Sequence, residues 1–116
     1  MTIEPDVPAE LLSKAQAYTD TAIISICRYS GEGWDRKSVI DPNNKALWDY
    51  EREMTEKSAE LFKDGDFCLS VKEKEMIDTV KASFKNVIVI LNVGGMVDTS
   101  WFAYDNQIQS ALLALQ

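Results

Sequence analysis

The segment Asn86-Val87-Ile88-Val89-Ile90-Leu91-Asn92 constrains the fold more than any other. Four β-branched residues followed by leucine favour extended backbone, because their side chains pack well on a pleated surface and are stiff in a helix. The run does not alternate between apolar and polar residues, so neither face reads as solvent-facing. A strand of that kind is expected inside a parallel sheet with helices over both faces. Gly94-Gly95 then breaks it.

The flanking segments supply the other elements. Pro8 suits the first turn of a helix, and Leu11, Leu12, Ala15 and Tyr18 follow on one face. Thr21 to Cys27 is β-branched and largely apolar, hence a strand, and Ser30-Gly31-Glu32-Gly33 interrupts it as a loop. Asp41-Pro42-Asn43-Asn44 turns into a charge-rich helical stretch with Leu47, Tyr50, Met54 and Leu61 as its apolar stripe, and Gly65 ends it. Ser70 with Glu73 three residues on forms a capping box, which opens a helix with Met76, Ile77, Val80 and Phe84 inward. The run Lys72-Glu73-Lys74-Glu75 reads as its solvated face, and Trp48 and Tyr50 read as packing residues. Thr99 to Tyr104 suggests a short helix, and Ile108 to Leu115 a further strand or a helix. This order of helices and strands is that of an α/β fold: a mostly parallel open sheet flanked by helices.

Composition narrows the function. In 116 residues, 46% are hydrophobic and 27% charged, which fits an ordinary globular domain. The net charge of −7 and the lack of any Lys/Arg cluster exclude a nucleic-acid groove. No apolar run is long enough for a membrane span, and the N-terminus reads as lacking a secretory signal, so the expected location is the cytoplasm. There Cys27 and Cys68 would be free thiols, with a disulfide as the lesser alternative. With no histidine, the usual triads and most zinc sites are ruled out, and no metal or cofactor is expected.

Ligands of parallel α/β sheets bind beyond the carboxyl ends of the strands. Two segments fall there: Arg28-Tyr29-Ser30-Gly31-Glu32-Gly33-Trp34-Asp35-Arg36 and Asn92-Val93-Gly94-Gly95. The first combines two carboxylates, two guanidinium groups, a hydroxyl and an indole. It is either a polar loop facing a hydroxyl-rich ligand such as a sugar, or a solvated loop pinned by Asp35 and Arg36. The glycines do not form a phosphate site, since the spacing is wrong and no Walker lysine follows. Glu32 and Asp35, three apart, also admit a paired-carboxylate glycosidase site. Trp101 and Phe102 belong either to the core or to an interface.

The segments Arg28 to Arg36, Leu69 to Glu73, Val87 to Gly94, and Trp101 through Leu113 occur here in sequence, after the strand Ala22 to Cys27. Taken together they resemble the second, α/β sandwich domain of family 3 glycoside hydrolases of the β-glucosidase type. The resemblance covers most of the chain apart from about 39–63, which looks like a helical insertion. It implies that residues 1–116 are part of such a domain, packed in the full enzyme against a (β/α)8 barrel domain. The implied activity is hydrolysis of β-linked glucosides with retention. It also implies that the loop after the first strand faces the sugar, with Ser30 in direct contact and Arg28, Glu32, Asp35 and Arg36 as supporting members.

No catalytic residue is assigned. The family nucleophile lies in the barrel and the acid/base later in the second domain, beyond any matching segment here. The chain stops at Gln116, after an apolar run that reads as a central strand, where a covering helix would be expected. The expectation is therefore a part of a β-glucosidase-type enzyme that is inactive alone, with exposed surface through which two copies could pair. The rival reading is a free-standing α/β module that binds a ligand or a protein. A self-sufficient enzyme using Glu32 and Asp35 is a third.

Overall fold

The computed structural model describes residues 6–28, 56, 60–62 and 65–114. Helix α1 (Ala9–Tyr18) leads into strand β1 (Thr21–Arg28). Helix α2 (Val71–Ser83), strand β2 (Asn86–Val93), the short helix α3 (Ser100–Ala103) and strand β3 (Ile108–Ala114) follow. The strands form one parallel sheet in the order β1-β2-β3, an α/β architecture. The segment at Ile108, open between strand and helix in the sequence, is a strand.

Strand side chains alternate between the two faces, and the in-register pairing sorts them. Ile24, Ile26 and Arg28 of β1 share a face with Val89, Leu91 and Val93 of β2. That face is covered: Val87 and Val89 are fully buried, and Ile24, Ile26, Leu91 and Val93 nearly so. Ile77 and Val80 of α2 pack there, with Met76, Phe84, Trp101 and Phe102 partly buried around them. Trp101 and Phe102 thus pack on the core, in an edge-to-face pair with centroids 4.7 Å apart.

The opposite face departs from the expectation of a strand buried on both sides. Ile88, Ile90 and Asn92 of β2 are only half-buried, while Ile23 of β1 and Leu112 of β3 are 64% and 60% exposed. The uniform apolar character of β2 thus exceeds what its described neighbours cover. Helix α1 departs from expectation too. Only Leu12 and Ala15 of its anticipated stripe are half-buried, whereas Leu11 and Tyr18 are exposed.

Helix α2 starts where the capping box places it. The Ser70 hydroxyl accepts the Glu73 N–H at 3.1 Å, and the Glu73 carboxylate accepts the Ser70 N–H at 2.8 Å. Gly65, just upstream, has φ of 84°, a conformation that costs glycine nothing because it has no Cβ. At its far end α2 is tied to the approach to β3, where Lys81 pairs with Asp105. The insertion read at 39–63 lies almost wholly outside the described residues; of it, Glu56, Glu60 and Leu61 have helical backbone.

Candidate functional site: the carboxyl edge of the sheet

Arg28 is the last residue of β1 and points inward, in line with Ile24 and Ile26. Only 4% of it is exposed. A buried guanidinium loses its hydration, so each of its five N–H groups needs an acceptor. All five find one. Nε donates to the carbonyl of Asp66 at 2.8 Å. Nη1 donates to the carbonyl of Cys27 at 2.8 Å and to Glu73 Oε1 at 2.7 Å. Nη2 donates to the carbonyl of Cys68 at 3.0 Å and to Glu73 Oε2 at 2.8 Å. The Phe62 ring lies 4.3 Å from the guanidinium carbon, adding a cation–π contact.

Glu73 is the other half of this arrangement. Its carboxylate grips Arg28 with both oxygens, and Oε2 also takes the Ser70 N–H. Bidentate, charge-assisted pairs of this kind are among the stronger side-chain contacts and fix both planes. Its place in the first turn of α2 is favourable, since the helix N-terminus carries partial positive charge. The solvated face anticipated at 72–75 therefore holds for Lys72, Lys74 and Glu75, which are exposed, but not for Glu73. Its side chain is only 12% exposed because Arg28 demands an anion there.

The edge is completed by the segment after β2. The N–H of Asp98 donates to the carbonyl of Phe67 at 2.8 Å, joining this segment to the one that caps α2. Trp101 Nε1 donates to the carbonyl of Asp98 at 2.9 Å. The backbone N–H and then the hydroxyl of Ser100 bind the Asp98 carboxylate, holding its pKa below the usual range. Phe67, Val71 and Met96 around this edge are exposed.

Of the five residues read from the sequence as substrate-facing, Arg28 is thus placed, and with every guanidinium donor engaged it has none left for a ligand. Ser30, Glu32, Asp35 and Arg36 lie outside the described residues. Glu73, Phe62 and the carbonyls of Asp66 and Cys68 were not anticipated as partners of Arg28. One signal for Glu73 existed: an arginine two residues beyond Ile26 continues the inward alternation of β1 and so calls for a buried acid. Among the described residues no group of three or more His, Cys, Asp or Glu could hold a metal ion. Nor is any described helix long and apolar enough to cross a membrane.

Over its whole length the chain is similar to part of a glycoside hydrolase. It is 48% identical over 117 residues to Beta-glucosidase A of Butyrivibrio fibrisolvens. The match takes in 100% of this chain and spans 14% of the length of that protein. No family model and no solved structure matches the chain.

Proposed function

We propose that the chain is part of a β-glucosidase-type glycoside hydrolase of family 3, within its second, α/β sandwich domain, and contributes to the sugar pocket without carrying the catalytic carboxylates. The observation that supports this reading is the 48% identity to a β-glucosidase in a match that takes in the whole chain, the segment 28–36 at the carboxyl end of β1 falling within it. The carboxyl edge of a parallel sheet is where such folds bind ligands. In this reading Ser30 contacts the sugar, with Glu32, Asp35 and Arg36 around it. The nucleophile and the acid/base come from outside these residues, the nucleophile from a (β/α)8 barrel domain. Retaining hydrolysis needs two carboxyl groups about 5 Å apart flanking the glycosidic bond. A domain lacking both, with half a pocket, gains little from positioning or proton transfer.

The test measures hydrolysis of an aryl β-glucoside by two proteins: this chain alone, and Beta-glucosidase A with its matching segment exchanged for this chain. The expected result is turnover by the exchanged enzyme, a marked loss on Ser30→Ala, and none by the chain alone. Turnover by the rigorously purified chain would overturn the proposal and point to Glu32 and Asp35 as a self-sufficient pair.

A further inference from the structure

We draw no further inference here: the strongest candidate, the apolar face of the sheet on which Ile23 of β1 and Leu112 of β3 are exposed beside the half-buried Ile88 and Ile90 of β2, carries nothing because nothing among the described residues shows what covers it.

Discussion

Gln109 stands in for a missing backbone partner of Val87. The pairing of β2 with β3 slips between Val87 and Ile88, leaving Gln109 as the extra residue on β3. Its side-chain Oε1 accepts the Val87 N–H at 2.6 Å, and its Nε2 reaches the Lys85 carbonyl at 3.4 Å. The amide side chain thus repairs the ladder that the bulge interrupts.

Removing that side chain leaves the N–H of the fully buried Val87 without its acceptor. Gln109→Ala should therefore cost about 1–3 kcal/mol, the usual penalty for an orphaned buried donor. Gln109→Glu keeps the acceptor and should retain most of the stability. Urea unfolding midpoints compare the three proteins; an unchanged midpoint for Gln109→Ala would mean that the ladder closes without the side chain.

The Arg28–Glu73 pair is buried, with side chains 3% and 12% exposed. Truncating one partner strands the other charge, so Arg28→Met should cost about 3–5 kcal/mol. Adding Glu73→Gln removes the stranded charge and should restore part of the loss. A double variant no more stable than Arg28→Met would show that the carbonyl contacts, rather than the charge pair, dominate.

Acid should weaken the junction between α2 and β3. The hydrogen bond from Lys81, then that from the Gln107 N–H, hold the Asp105 carboxyl below its ordinary pKa. A carboxyl depressed in the folded state contributes stability that is fully present above its unfolded pKa and is lost as pH falls through the folded value. Asp105→Asn should accordingly flatten the decline of stability below about pH 4, where unperturbed aspartates titrate. A series of urea midpoints from neutral to acid pH reads this directly, and an unchanged acid slope would mean that the pair contributes nothing.

The two faces of β1 should respond differently to the same truncation. Ile26 is 2% exposed and Ile23 is 64% exposed. Ile26→Ala should cost about 3 kcal/mol through lost burial and a residual cavity. Ile23→Ala should stay within about 0.5 kcal/mol, as is usual at the surface. Equal losses in the chain would indicate that Ile23 is covered in solution, for instance by a second copy.

Several elements were legible because their signals are local. The capping box at Ser70 and Glu73 needs four consecutive residues, and both of its hydrogen bonds form. The runs at Thr21 and Asn86 are strands because β-branched side chains favour extended backbone wherever they stand. The inward face of α2 followed from helical spacing alone, and Ile77 and Val80 are buried on it. Arg28 was legible as a member of the strand-end segment. That its donors are all spent on Glu73 and three carbonyls was not, because those partners lie far along the chain or belong to the backbone.

Residue order alone therefore carried the kind of every described element except the last strand, the parallel α/β class, and the similarity to a β-glucosidase along the whole chain. These depend on backbone preference, helical or strand periodicity and residue identity, all carried by neighbouring residues. Packing between segments settled that Ile108–Ala114 is a strand, which face of β2 is fully covered, where β3 bulges, and that a glutamate on an apparently solvated helix face is buried against an arginine. Burial and ion pairing depend on which surfaces meet, and that meeting is set by register and packing between segments separated by tens of residues.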